Sequence, residues 1–480
     1  MLRRRDLFQE RYNFFLSELR NEILTGSLKP GEFILPENTL SEKYQMSRVS
    51  VRKALAELVE EGLIEKIAGK GNRVKPPEND GVRQTLTLTW FSDSYELDVL
   101  RAIIGRFEES HPYVKVNLIF LPPESYSVQV SEMIEQGYGP DVLYVADTHF
   151  RQLEEMGKLD LLEPYEPPCF SLERDSYPKL AEMYKSGGKL LTVPILFSPV
   201  VICYNKDIFE RAGISGADPV RTWDDLLSVA AKCTTEPNSD GVIEQYGFCF
   251  SSSIHRWPVF VLQNDGTFKK DGRFAFSDKR NAEALQFCAD LMYKHQVSPI
   301  YSHSSSLLAE HLFKKEKCAM ILCTYFYMNE FRSTGLRWDI LPVPEQRRKA
   351  TLLLGGSLGI NKLSGKTKVA QSFIDFMTGL EAQTMLKRYG CTIPVLREVA
   401  ENDDLLDPAI HPEHYNYFID ALEHSYSLRE LGLREREVSL MINELHTLWA
   451  NMDRPEDVCR RIEERVRAEY PAKAESAAND

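Results

Sequence analysis

With 480 residues the chain exceeds what one hydrophobic core usually supports, which favours about two to four folding units. Its 43% hydrophobic, 10% aromatic and 27% charged residues exclude intrinsically disordered, fibrous and collagen-like classes. The net charge of -13 conceals an asymmetry: residues 1–75 carry 14 Lys and Arg against 11 Asp and Glu, and the remainder carries 44 against 60. The longest apolar stretches, Val193–Tyr204 and Cys318–Met328, fall short of the roughly 20 residues a membrane-spanning helix needs. The amino terminus lacks the apolar run of a secretion signal. Nine cysteines without a C-x-x-C pair read as reduced thiols in the core. The expectation is a cytoplasmic protein without membrane contact.

In the first 75 residues, Phe15, Leu19, Ile23 and Leu24 fall on one face of a helix that stops at Gly26. Pro36 suits the first turn of a second helix with Leu40 and Tyr44 inward. Gln45-Met46 turn into a third helix opened by Ser47 as N-cap. In that third helix Val51, Leu55 and Leu58 point inward, leaving Arg48, Ser50 and Arg52 outward, where a recognition helix enters a major groove. Leu63–Ile67, a turn at Ala68–Asn72 and Arg73-Val74 form a hairpin wing with a basic tip.

The string Ile23–Gly31, with Leu40-Ser41-Glu42, Ser47–Leu55, Glu61–Ile64 and Gly69-Lys70-Gly71, resembles the GntR-type winged helix over residues 10 to 75. The resemblance implies DNA contact through Ser47, Arg48, Ser50 and Arg52, and through Lys70, Gly71 and Asn72 at the wing tip. The sequence departs from the family at Asn38, where an arginine is common.

Lys75–Gly81 concentrates prolines and turn formers, so domains are expected at 1–75 and 85–475 with a linker at 76–84. Thr85–Trp90, Asp98–Glu109 and Val114–Phe120 read as a β-α-β opening, and Asp141–Val145 and Val200–Tyr204 as further buried strands. An α/β body of nearly 390 residues calls for two lobes with a cleft between them. Trp90, Asp93 and Tyr95, then Asp147, Thr148 and His149, then Ser198 lie at the expected carboxyl ends of strands, where open α/β sheets bind ligands. Aromatic faces beside carboxylate, hydroxyl and imidazole groups suit a polyhydroxylated ligand.

Gly139–Val142, Leu159–Pro164, Tyr204–Phe209, Thr222–Leu226 and Gly355–Ile360 resemble family 1 extracellular solute-binding proteins, the bilobed receptors of carbohydrate importers, over almost all of 85 to 470. The resemblance implies a hinged, bilobed, periplasmic-binding-protein-like (type II) α/β fold behind the winged helix-turn-helix. It also implies sugar contact through the loops at Trp90–Tyr95, Asp147–His149, His255 and Trp257, and Tyr325 and Tyr327. Trp223, inside a helix-capping Thr-Trp-Asp-Asp string, reads as core, and Tyr325-Phe326-Tyr327 is expected to alternate inward and outward as a strand end.

Gly355–Gly359 matches G-x-S-x-G, yet a β-like run follows it where a nucleophile elbow needs a helix. His411 and His414 have no third ligand nearby in sequence, so no metal and no cofactor is expected. The combined expectation is a non-enzymatic, dimeric regulator of operator DNA with a carbohydrate effector. Two alternatives stay open: a sugar-binding protein whose winged helix only dimerises it, and a carbohydrate-active enzyme using Asp93 and Asp147.

Overall fold

The computed structural model describes residues 2–76, 84–92, 94–215, 219–236, 242–300, 307–332 and 334–469, with side chains from residue 11. The amino-terminal module has helices α1 (Leu2–Leu24), α2 (Glu37–Lys43) and α3 (Arg48–Glu60), followed by an antiparallel pair, β1 (Ile64–Ile67) and β2 (Gly71–Val74). Its core contains Phe15, Leu19, Ile23, Leu24, Leu40, Val51, Leu55 and Leu58, as periodicity predicts, while Tyr44 is half-buried; Tyr12, Ile34, Met46, Ala54, Leu63, Ile64 and Val74 are buried with them. Ser47 caps α3 by accepting from Ser50 N at 3.1 Å, and Gln45 makes the preceding turn at φ 49°.

The chain resumes at β3 (Gln84–Phe91), then α4 (Leu97–Ser110), β4 (Val114–Leu121), α5 (Tyr126–Glu135), β5 (Val142–Ala146) and α6 (Asp147–Glu155). β3 pairs in parallel with both β4 and β5, the β-α-β geometry that the alternation predicts. The 14-residue strand β6 (Thr192–Asn205) then ties the lobes together, because it belongs to two sheets in succession. Lobe 2 continues with α7 (Trp223–Cys233), β7 (Tyr246–Cys249), α8 (Pro258–Gln263), α9 (Lys279–Tyr293), α10 (Leu308–Lys314), β8 (Cys318–Thr324) and β9 (Trp338–Leu341). Strand β10 (Thr351–Asn361) returns to lobe 1, followed by α11 (Thr367–Thr378) and α12 (Leu380–Tyr389). Two helices, α13 (Glu435–Trp449) and α14 (Pro455–Glu469), close the described chain on lobe 2.

β6 pairs with β10 from Thr192 to Pro199, and with β8 and β9 from Val200 to Asn205. The crossover between lobes therefore falls at Pro199-Val200, where proline removes a ladder donor. One hydrophobic core joins lobe 1 to the winged helix and to one face of the lobe 2 sheet. A second lies on that sheet's other face, beneath α7 to α9 and the two closing helices. Trp223 belongs to this second core, stacked 4.2 Å from Phe287 with its Nε1 donating to Gln263 at 2.7 Å. Of the nine cysteines, Cys169 is the exception to core placement, being exposed.

The expected strand end at Tyr325–Tyr327 is instead a 3-10 turn over Tyr325–Phe331, entered after β8 ends at Thr324. Tyr325 and Tyr327 are buried and Phe326 between them is half-buried, so the triplet divides inward and outward as expected, though on a 3-10 turn and not on a strand. Gly355 and Gly356 lie inside β10, and Ser357 Oγ donates to the Val145 carbonyl at 2.7 Å; no helix leaves this serine, and it is no nucleophile elbow.

Candidate functional site

The recognition face is assembled by α3. Its buried side fixes the helix roll, leaving Arg48 and Arg52 exposed on the first turns. The Arg52 guanidinium is held by Glu37 at 2.8 Å, which also keeps the Glu37 carboxyl below its usual range. Ser50 is half-buried, and its hydroxyl lies 2.8 Å from that of Ser47. At the wing tip Lys70 and Gly71 are exposed, with Gly71 at φ 110°, a conformation side chains resist. Asn72 is half-buried and its carbonyl accepts from Ile34 N at 2.9 Å. Sequence reading passed over Val49, which is 75% exposed on the same turn as Arg48.

In the body, the lobes meet through residues expected at the cleft. Thr148 Oγ1 on lobe 1 lies 3.3 Å from His255 Nε2 on lobe 2, and the rings of Tyr95 and Tyr327 meet edge-on at 5.1 Å. Desolvation, with Arg256 beside it, pushes the His255 imidazole down to about 3, so it is neutral at physiological pH. Asp147 is the first residue of α6; its carboxyl faces the helix's free N–H groups and Gly355 N at 3.5 Å. Burial nevertheless raises it to about 6.

Several groups at this site carry no sequence signal. Glu96 is buried, accepts from Ser94 Oγ, and is pushed up to about 7 by burial. The hydroxyls of Tyr144 and Tyr184 press against β10, where a Cβ at Gly356 or Gly355 would come within 2.1 or 2.8 Å of them. Arg151, one turn along α6, donates to the Leu433 carbonyl at 3.1 Å and pairs with Glu435 at 3.0 Å, so this helix touches both lobes. Arg256 donates to the Leu322 carbonyl and pairs with buried Glu310 at 3.4 Å.

Several of the expected ligand residues are packed inside the fold. Trp257 is fully buried against Phe268 and Phe276, because the Pro258 helix start turns its ring into the lobe 2 core. Ser198 Oγ accepts from Tyr325 N at 2.9 Å inside the sheet junction. Tyr325 donates or accepts with His411 Nδ1 at 2.6 Å and packs on Phe418. His149 stacks on Tyr126 at 4.4 Å, and burial pushes it down to about 4, so it faces the lobe 1 core. Trp90 is also buried, its ring 3.8 Å from that of Tyr144 and tilted by 35°, and Asp93 lies outside the described residues.

His414, Asp339 and Glu413 place ligand atoms within 4.8 Å of one another. The Lys206 ammonium already sits 3.3 Å from Asp339 and 2.9 Å from Glu413, the position a cation would take. Among the described residues no helix is long and apolar enough to cross a membrane.

Comparison with known proteins gives two family matches. Residues 93–384 match the family of bacterial extracellular solute-binding proteins, and residues 12–74 match bacterial regulatory proteins of the gntR family. The arabinooligosaccharide-binding protein of Bacillus subtilis (strain 168) is 24% identical over 283 residues, covering 56% of this chain and 63% of that protein. The mannosyl-D-glycerate transport/metabolism system repressor MngR of Escherichia coli (strain K12) is 41% identical over 64 residues, 13% of this chain and 27% of its own. The chain thus spans less than two thirds of either relative. An ABC substrate-binding protein from Listeria monocytogenes in complex with cycloalternan superposes with a TM-score of 0.70 at 21% identity, covering 81% of this chain and 99% of that one. Maltose-bound MalE3 of T. maritima gives 0.68 at 20% identity, covering 80% and 99%.

Proposed function

Because the chain belongs to the bacterial extracellular solute-binding protein family and carries a gntR-family regulatory module ahead of that domain, we propose that it is a cytoplasmic, ligand-responsive transcription regulator. The winged helix reads operator DNA, and a carbohydrate bound between the lobes sets how well it does so. The observation that carries this reading is the pairing, in one chain, of an outward recognition face with lobes that meet through polar and aromatic groups. The relatives are named for binding and regulation, which supports a non-catalytic role.

On DNA, Arg48 and Arg52 divide base-edge and phosphate work, Ser47 and Ser50 approach the backbone at the helix start, and Lys70, Gly71 and Asn72 follow the adjacent groove or phosphates. Val49 adds an apolar surface suited to a thymine methyl. Arg52 must exchange its Glu37 partner for DNA, so Glu37 competes with the operator. Two modules on a homodimer would meet the half-sites of a pseudo-palindrome. The net charge of +3 over residues 1–75 fits few phosphate contacts per protomer.

In the cleft, Tyr95, Asp147, Thr148, His255 and Tyr327 surround the effector. Closure around a sugar alters operator affinity only by the sugar's differential affinity for open and closed states. The test is operator binding by fluorescence anisotropy across a salt series, for the parent chain and Arg52→Ala, with and without sugar. Arg52→Ala is expected to weaken binding and reduce the salt slope by about one. An unchanged affinity and slope would remove the DNA role assigned to this helix.

A further inference from the structure

The 3-10 turn at Tyr325–Phe331 serves two places at once. Its Tyr327 meets Tyr95 at the lobe contact. Its last residue, Phe331, lines a pocket of about 340 Å³, within the size range of small-molecule sites. The ionic side chains of the described lining are all basic: Lys206, Arg332 and Arg337. Lys206 is held by Asp339 and Glu413 at 3.3 and 2.9 Å, and Arg337 by Asp207 and Glu210 at 2.6 and 2.7 Å. None of these four carboxylates belongs to the described lining, so the two cations are fixed in the wall with their partners outside it. Arg332 differs. It is exposed, and among the described residues its guanidinium has no ion pair or hydrogen bond. Trp338 and Leu336, both half-buried, add apolar surface beside it.

Direct contacts lead from this pocket to both the lobe contact and the lobe crossover. The rings of Trp338 and Phe331 lie 5.7 Å apart, those of Phe331 and Tyr327 5.7 Å, and those of Tyr327 and Tyr95 5.1 Å. His411, also in the pocket wall, hydrogen-bonds through Nδ1 with the Tyr325 hydroxyl at 2.6 Å, and its buried Nε2 has no partner among the described residues. Tyr325 N in turn donates to Ser198 Oγ at 2.9 Å, immediately before the Pro199-Val200 crossover. A guanidinium without a partner suits a carboxylate or phosphate, which it can hold by two parallel hydrogen bonds, and the apolar wall suits the body that carries such a group.

We propose that this pocket is a second ligand site, taking a small organic anion, and that its occupancy is felt at the lobe contact through the turn at Tyr325–Phe331. Arg332 receives the carboxylate or phosphate, and Trp338 with Leu336 receives the apolar body. The site stands apart from the sugar cleft and does not depend on the carbohydrate reading. An anion that binds the open and closed lobe arrangements unequally shifts the balance between them by that difference.

The experiment uses the full chain in calorimetric titrations at fixed ionic strength. The probes are phenyl phosphate, benzoate and inorganic phosphate, with benzyl alcohol as the uncharged control. Phenyl phosphate or benzoate is expected to bind saturably, and the better of the two tells phosphate from carboxylate. Arg332→Gln, at an exposed position, is expected to weaken that binding by about 10-fold or more, the loss expected for charge-assisted hydrogen bonds. Amide hydrogen exchange with and without the bound probe reads its place and its reach. Slower exchange is expected at Phe331-Arg332, Leu336–Trp338 and Ala409–His411, and also at Ser94–Leu97 across the lobe contact. Benzyl alcohol binding as tightly as the anions, or Arg332→Gln binding them like the parent, overturns the anion site. Protection at Arg48–Arg52 in place of the pocket overturns it too, by putting the anion on the winged helix. Inorganic phosphate binding as tightly as phenyl phosphate removes the role given to Trp338. Protection confined to the pocket segments overturns the link to the lobes, and no saturable binding by any probe overturns the whole proposal.

Discussion

Glu96 and Asp147 hold their protons to higher pH in the folded chain than free carboxyls do, with values of about 7 and about 6 set chiefly by burial. A carboxyl raised in this way stabilises the fold fully below its unfolded value and loses that contribution as pH rises through the folded value. The loss should run from about pH 4 to about pH 7. His149 and His255, pushed down by burial to about 4 and about 3, act in the opposite sense: their contribution is present above the ordinary histidine range and fades on acidification. Glu96→Gln separates the two trends. Relative to the parent, its stability should rise between about pH 4.5 and pH 7 by on the order of 1 to 3 kcal/mol, read by denaturant titration at each pH. A parallel pair of pH profiles would refute the buried-acid assignment. Asp147 could be found from sequence because it directly follows a strand, in an aromatic and polar run. Glu96 sits in the same loop, Ser94-Tyr95-Glu96, yet nothing there distinguishes a buried acid from a solvated one. Trp257 had a similar ambiguity: Arg256-Trp257-Pro258 fits an exposed loop aromatic, and only the packing of Phe268 and Phe276 turns it inward.

At the scale of elements, α6 is the piece that joins recognition to architecture. Its first turn carries Asp147 and Thr148, and its later turns grip lobe 2 through Arg151 with Glu435 and through Glu154 with Arg429 at 2.7 Å. Arg151 is buried, so removing its partner leaves a poorly solvated cation; the partial exposure of Glu435 lowers the cost below that of a fully buried pair. Glu435→Gln should cost about 1 to 2 kcal/mol and speed amide hydrogen exchange in α6 and at the start of α13, while the winged helix is unaffected. Unchanged exchange in α6 would show that this pair does not hold the lobes. The individual helices and the β-α-β opening were legible because their periodicity is local. The lobe crossing was not: Val200–Tyr204 reads correctly as a buried strand, but a continuous apolar run has no mark for where one sheet ends and another begins. The turn at Tyr325 was missed for the same reason, since an aromatic triplet fits a strand and a 3-10 segment equally well.

At the scale of the whole molecule, the gntR-type module rests on lobe 1. Gly26, whose φ of 75° favours glycine, follows α1 against lobe 1, where a Cβ would make ordinary contact 3.4 Å from the Ser110 carbonyl and 3.7 Å from the His111 ring. His111 hydrogen-bonds with the Thr25 backbone and with Ser372 Oγ at 3.0 Å, joining α1, the end of α4 and α11. Beside it, Tyr113 is fully buried, and burial with the nearby Glu65 of the wing pushes its hydroxyl up to about 12. Under the proposed function, a module seated in this way would move with lobe 1, and closure would displace lobe 2 relative to the DNA. Coupling between the two ligands must also be reciprocal: the factor by which sugar changes operator affinity equals the factor by which operator changes sugar affinity, usually about 5 to 150. His111→Ala should bring both factors toward one, with sugar affinity in the absence of DNA retained, because the side chain contacts neither ligand site. Titrating sugar with and without operator, in parent and variant, reads both factors. If the variant keeps the parent's coupling, the seat on lobe 1 is not the route between the sites.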